Sequence, residues 1–596
     1  MNFAAKRLCA AWTACLLAAG ALCAAGQVII NEVHYDSLDV TNPVEFVELF
    51  NTGTTSVGLG GWHFSGGISF AFPSDTVLAA GQYVVVGLSP SAVSNTFHVS
   101  SLGPFAGGLG NDADTVRLRN AKGDVQDEVN YQNGFPWPTI GDAPDKSMQL
   151  MNPALDNDLG GSWRSGAPTP MSINSVFAGT NSIPPQIRQV AHTPHAPTST
   201  NNVVIAAKVT DTSGVRSVTL SYQVVDPGNY IRLSDAAYPT NWTSIGMNDG
   251  GTNGDVLAGD DTYTVAMTNA LQVHRRLVRY RVTAVDNRSN SVTVPYVDDV
   301  QSNFAYFVYE GIPDWRGADN PGSTPTNTFA GSTMEPFPAY HLIADNTDVQ
   351  RSQYSNAFAD VRFPGTLVYD GTVYDNIAFY NRGEVSMYVA GKNKWRLRFN
   401  RGHKFEAKND YGKKYKAKRD TLNLNACASP WIPVHRGMAG MDEVMSHRLY
   451  ELAGVLSPEI HWIQFRVIAN TNEAPAGDQY GGDLWGLYNV VEHPGGDFLR
   501  ERGLPSGNIY KLEGAGDKTH QGSTQPTDNS DWVSFNAASA NANTVAWWRT
   551  NLDLNAFYGF HAINRLVGNV DLREGWNHFL YHNTNDPLCQ KRASFT

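Results

Sequence analysis

From Gln27 to Tyr309 the apolar residues come in short alternating runs broken by Gly, Asn and Asp. A period of two sustained over that length makes antiparallel β-sheet the framework for the first half of the chain. Near Met334 the pattern changes. Helical periodicity appears at 441–456 and 554–569, between strand-like runs at 460–470 and 483–492, so the last region reads as α+β. At 596 residues the chain is too long for one core, and roughly three to five domains are expected. With 42% hydrophobic and 17% charged residues it is globular rather than disordered.

Residues 1–26 have the three-part plan of a secretory signal peptide. Lys6 and Arg7 come first, then an Ala- and Leu-rich stretch, then small residues before Gln27. The expectation is a protein exported to the periplasm, the cell surface or the medium, with no membrane span after cleavage. Cys9, Cys15 and Cys23 lie in that leader, which leaves Cys427 and Cys589 and no disulfide framework. Loss of Lys6 and Arg7 moves the net charge from −12 to −14, which argues against nucleic acid or an anionic membrane as a general partner. The oligomeric state is not readable.

In residues 27–178 the runs include Ile30-Asn31-Glu32-Val33, Glu45-Phe46-Val47-Glu48-Leu49-Phe50-Asn51, Gly60-Gly61-Trp62 and Asp114-Thr115-Val116-Arg117-Leu118. Glu45 and Glu48 are three apart in a strand and so point to opposite faces, which favours structural over acid-base roles. These words resemble the lamin tail domain, an immunoglobulin-like module. Ile183-Pro184-Pro185 opens a second β region over 183–309, similar to a fibronectin type III or immunoglobulin-like sandwich. Within it Asp249, Asp255 and Asp260 stand among glycines. Oxygen donors in such a loop suit calcium, although an ordinary Asp/Gly turn has the same composition. Residues 310–334, rich in Gly, Pro, Ser and Thr, read as a linker to a final domain at 335–596.

That last domain carries the chemistry. Residues 391–419 hold twelve of the chain's 44 basic residues. In Lys394-Trp395-Arg396-Leu397-Arg398-Phe399 the period of two puts three cations on one strand face and three apolar side chains on the other. Such a strand could wall a phosphate site or stand as a solvated hairpin. Farther on, Asp571 precedes Asn577 by six residues, a carboxylate and an oxygen donor of the kind that orients a hydroxyl and holds magnesium in phosphoryl transfer.

These elements, with Asn381-Arg382-Gly383, Leu422-Asn423-Leu424-Asn425, Trp485-Gly486-Leu487-Tyr488-Asn489-Val490-Val491-Glu492 and Asn508-Ile509-Tyr510-Lys511-Leu512 in order between them, resemble the CotH kinase family, the spore-coat-protein-H-like group of atypical protein kinases. The resemblance covers about 340–586. It implies transfer of the γ-phosphoryl group of ATP to Ser or Thr of a protein outside the cytoplasm, with magnesium. By analogy Asp571 is the catalytic Asp, and Asn577 with Asn569 helps hold the metal. Arg382, Lys392, Lys394, Arg396 and Lys511 are candidates for the nucleotide phosphates, and Glu492 is a candidate for orienting a lysine. The family continues to a second metal-binding Asp, whereas this sequence ends 25 residues after Asp571. The expectation is therefore two immunoglobulin-like sandwiches followed by an incomplete α+β kinase-like domain. A non-catalytic surface-binding protein is the alternative function.

Overall fold

The computed structural model describes residues 27–595 apart from 38–42, 140–145, 318–326, 355–360, 383–391, 410–411, 428–439, 474–481, 513–515, 524, 543, 570–577 and 585–591. The leader, Gly383, Asp571, Asn577 and Cys589 lie outside the described residues.

The first domain is a sandwich of two five-stranded sheets. One runs 163–166, 147–150, 28–34, 46–51, 83–87, and the other 125–132, 113–119, 63–66, 68–71, 106–107. Alternation along the strands sends Val33, Val47, Leu49, Phe64, Val116, Leu118 and Trp163 into one buried core. Glu32 and Glu48 face each other across the first two strands, and both are fully buried. Burial is affordable because each carboxyl group collects hydrogen-bond donors and is pushed by burial toward its neutral form. Glu32 accepts from Ser147 and from the Thr169 amide at 2.9 Å, and Glu48 accepts from Asn31 at 2.9 Å. Glu45 instead accepts from the Leu109 amide at 3.2 Å. All three carboxylates act within this fold.

The second domain is again two-layered, with strands 186–193, 204–210 and 262–266 facing 243–247, 215–225, 277–286, 291–294 and 304–307. The interval after it is not wholly irregular. Trp315–Gly317 pairs with Asn327–Phe329, and Gly331–Met334 makes one helical turn.

Seven strands then close into a barrel: β1 (Ala339–Ala344), β2 (Phe363–Tyr369), β3 (Thr372–Arg382), β4 (Lys394–Arg398), β5 (Thr421–Asn425), β6 (Ile460–Ile468) and β7 (Leu484–Glu492). The order is β1-β2-β3-β4-β5-β7-β6, and a parallel β1–β6 pairing closes it. Trp395 and Leu397 of β4 point into the barrel with Phe379, Leu424, Phe465 and Tyr488, while Lys394, Arg396 and Arg398 face outward and are half-buried. A second lobe follows. It contains α1 (Met441–Leu452), inserted between β5 and β6, then α2 (Gly496–Glu501) and α3 (Leu554–Val567), and a four-stranded sheet of 517–520, 508–511, 578–582 and 592–595. Tyr450 of α1 stacks near Phe560 of α3 at 5.8 Å, which ties the helices together.

The second sandwich is welded to the barrel rather than tethered. Val225, Tyr230, Leu277 and Phe307 share an apolar cluster with Ile343, Val368, Val373 and Ile468. Arg279 meets Asp375 at 2.8 Å with both side chains 0% exposed, and Arg275 meets Asp483 at 2.6 Å. The lamin-tail-like domain also touches the barrel domain, through Asp36 with Arg401 and through Asp112 with Lys404 at 3.0 Å and Arg500 at 3.2 Å.

Candidate functional site

Register places the cations. In the β3–β4 ladder Arg382 lies opposite Lys394 and Tyr380 opposite Arg396, so β3 and β4 present basic side chains side by side. Like charges directly across a ladder oppose each other, so the arrangement is favourable only with anions or hydrogen-bond acceptors nearby. Acceptors come from β5, where Asn425 Oδ1 receives Arg382 at 2.6 Å and Asn423 Oδ1 receives Arg396 at 2.9 Å.

Among the described residues, a carboxylate on α1 lies close to this face. Glu443, in the first turn of α1, accepts from Asn425 and, at 3.3 Å, from Asn489 of β7. Withdrawal from water and the neighbouring Arg396 pull Arg382 down to about 10, with Glu443 opposing. His493, just past β7, is pulled to about 3 by burial and by Arg396, Arg382 and Arg398. It is therefore a neutral imidazole beside three guanidinium groups. Among the described residues positive charge exceeds negative in this cradle, which suits a polyanionic ligand such as a nucleotide's phosphates.

The structure thus gathers Arg382, Lys394, Arg396 and Arg398 on one face and adds His493 and Glu443, which the sequence did not single out. Glu443 sits in an ordinary amphipathic helix start, where an acidic residue also serves the helix dipole, so its sequence signal is ambiguous. His493 follows a strand end with no motif of its own.

The other candidates are differently engaged. Among the described residues the partners of Glu492 are arginines and a backbone amide. It pairs with Arg419 and with Arg502 at 2.9 Å, and accepts the Glu459 amide at 3.0 Å, because the β7 register turns it toward the barrel's end. Lys392 donates to the Leu487 carbonyl and lies 4.3 Å from the centre of the Tyr488 ring, with burial pushing it down to about 8. Asn569 follows Gly568, the left-handed cap of α3. It donates to Asn564 Oδ1 at 2.9 Å and hydrogen-bonds Tyr450, so its amide fastens α3 to α1. Lys511 pairs in register with Phe579, two residues after Asn577. Asn569 thus directly precedes residues 570–577 in sequence, and Lys511 lies beside the strand that follows them.

In the second sandwich, Asp249, Asp255 and Asp260 bring carboxylate oxygens within 4.8 Å of one another. Asp249 accepts the Gly259 amide at 2.8 Å, Asp255 the Gly251 amide at 2.5 Å and Asp260 the Thr262 amide at 2.8 Å. These are the bonds of a self-capped Asp/Gly turn, and the cluster alone names no ion.

A closed barrel with an outward cationic face is joined to a lobe of helices and sheet. Residues 380–591 match the family model of the CotH kinase protein, and residues 23–133 match that of the Lamin Tail Domain. The chain carries a lamin tail domain followed by a CotH kinase domain. The first match ends before strands 147–150 and 163–166, which complete its sheet, and the second begins inside β3, after two barrel strands have formed. No curated protein matches the chain. Among the described residues no helix is long and apolar enough to cross a membrane.

Proposed function

We propose that this protein is an exported atypical kinase that transfers the γ-phosphoryl group of ATP to Ser or Thr of a protein outside the cytoplasm. The observation that carries the reading is the cationic cradle of Arg382, Arg396 and Arg398, gathered by β3 and β4 and incompletely answered by Glu443. In this reading Arg382 and Arg396 bind and orient the phosphates, and Lys394 adds charge at the same face. Neutral His493 can donate one hydrogen bond without adding charge. Glu443 holds Asn425, and through it Arg382, in place. Asp571 orients the attacking hydroxyl, and Lys511 reaches the phosphates from the second lobe. Magnesium, when bound, neutralises charge building on the phosphates. The candidates to hold it are Asn577 and Asn569, each through its side-chain oxygen.

The test is phosphate transfer from labelled ATP to a Ser/Thr protein substrate by the full chain freed of its leader. Transfer that Asp571→Asn abolishes while the fold stays intact supports the reading. Transfer unchanged by that variant removes Asp571 from catalysis. Mg-ATP binding without any transfer favours the alternative, a surface-binding protein with an inactive kinase-like domain.

A further inference from the structure

A cleft of about 330 Å³ lies on the seam between the lamin tail domain and the kinase domain, away from the cradle. Lys404, Lys416, Lys418 and Arg500 line it from one side, and Asp112 and Asn133 from the other. We propose that this cleft binds a phosphomonoester carried on a protein, a phosphorylated Ser or Thr side chain.

The four cations are not equivalent. Lys404 and Arg500 are held by Asp112 at 3.0 and 3.2 Å, and both also meet Asp497, so they are largely neutralised and serve to join the two domains. Lys418 has a looser contact, 3.4 Å from Glu406, and Glu406 is bonded more closely to Lys414 at 2.6 Å. Lys416 is exposed on the cleft wall. Two lysines thus bring incompletely answered charge to a concave site in a protein that is acidic overall. The surrounding frame is stiff. The Ala417 amide is bonded to Glu501 at 2.8 Å, and a Cβ placed on Gly134 would stand 2.9 Å from the Gly402 carbonyl, so the domains meet backbone to backbone.

Size and charge select the ligand. The volume takes one or two side chains, and Asp112, Asp497 and Glu406 border the lysines. An extended polyanion such as nucleic acid would run over those carboxylates, whereas a single dianionic group can sit against Lys416 and Lys418, with Asp112 on the opposite wall engaged by Lys404 and Arg500. The binding claim goes beyond the proposed activity and holds whether or not this chain transfers phosphate.

The experiment titrates the full chain with a phosphoserine peptide, its unphosphorylated twin, inorganic phosphate and a single-stranded RNA. It compares the wild type with Lys416→Glu and Lys418→Glu, and thermal unfolding checks that these surface variants stay folded. Lys416→Gln is the milder companion. The expected result is binding of the phosphopeptide at least about tenfold tighter than its twin, weakened about tenfold by each charge reversal and less by Lys416→Gln. Equal binding of the two peptides, or binding indifferent to both reversals, overturns the proposal. Inorganic phosphate bound as tightly as the phosphopeptide overturns the protein-borne ligand in favour of free phosphate, and tighter binding of RNA overturns it in favour of nucleic acid. ATP titrated into the same variants should bind as in the wild type. Failure of ATP to bind any of them counts against the kinase reading and leaves the cleft result readable.

Discussion

Gly486 makes room for Lys392: a Cβ added at Gly486 would stand 3.3 Å from Lys392 Nζ, and the glycine has φ +110°. The β7 backbone bends there in a conformation that L side chains rarely adopt, and the lysine crosses it to reach the Leu487 carbonyl and the Tyr488 ring. Gly486→Ala should destabilise the barrel by about 1–3 kcal/mol in chemical denaturation, through backbone strain more than through the contact. Burial holds folded Lys392 at about 8, below its usual 10.5. Folding therefore releases a proton between those values, and stability should rise as pH climbs from about 8 toward 10.5. Lys392→Met should remove that part of the rise, and an unchanged profile would show that the ammonium is better hydrated than its surroundings imply.

The Arg279–Asp375 pair joins the second sandwich to β3 with no exposed surface on either side chain. Asp375→Ala strands a buried guanidinium and should cost about 3–5 kcal/mol, whereas a well-packed apolar replacement of both partners should recover most of that loss. Burial would raise the Asp375 carboxyl, but Arg279, Thr366 and Asn303 outweigh it and hold it below 3.8. The stabilisation is present above that value and is lost as pH falls through the lower folded one. Acid should therefore release the sandwich from the barrel. Limited proteolysis of the seam across an acid titration measures this, and a seam equally protected in Asp375→Ala would refute it.

Glu32 and Glu48 set the opposite pH dependence in the lamin tail domain. Burial, then the charge of Glu32, pushes Glu48 up from 4.5 to about 8, and burial raises Glu32 as well. The folded domain holds protons that the unfolded chain releases. Stability is full below about 4.5 and is lost as pH rises toward about 8. Thermal unfolding should show the melting temperature of this domain falling across that window, and Glu48→Gln should flatten the fall. A Glu48→Gln profile parallel to the wild type would be the contrary result.

Alternation was readable wherever each strand buries one face. Lys394 to Phe399 showed its two faces in the sequence, and the barrel uses them so. What the sequence could not convey was closure. The parallel β1–β6 pairing joins residues more than a hundred positions apart, and no local pattern encodes it. The same holds for the seams. A Gly- and Pro-rich interval suggests loose domains, yet Arg279 and Asp375, 96 residues apart, find each other in the interior. At the candidate site the strand-borne cations were legible as a run, because β-sheet turns sequence spacing into a face. Glu443 was not, because its meaning depends on how α1 docks. Glu492 was legible as the end of a recognisable strand, but its pairing with Arg419 and Arg502 was not, because those partners come from other elements.

The Arg382–Glu443 relationship gives the sharpest test of the proposed nucleotide site. A phosphate oxygen replacing water on Arg382 gains a charge-assisted bond of about 1.5–3 kcal/mol, so Arg382→Ala should weaken ATP binding by about ten- to a hundredfold, and Arg396→Ala similarly. Glu443→Gln should behave differently. It removes a negative charge near the phosphates, so ATP affinity should hold or improve slightly. The bonds that Glu443 accepts from Asn425 and Asn489 are weakened, however, and with them the aim of Arg382. If Glu443 is a positioning residue, transfer in Glu443→Gln falls in kcat with little change in KM for ATP, and Glu443→Asp restores less than the wild-type rate because its carboxylate is set back by one methylene. If instead ATP binds Arg382→Ala and Arg396→Ala as it binds the wild type, the cationic face of β3 and β4 is not the phosphate site. The basic strand would then stand as the solvated surface that its sequence also allows.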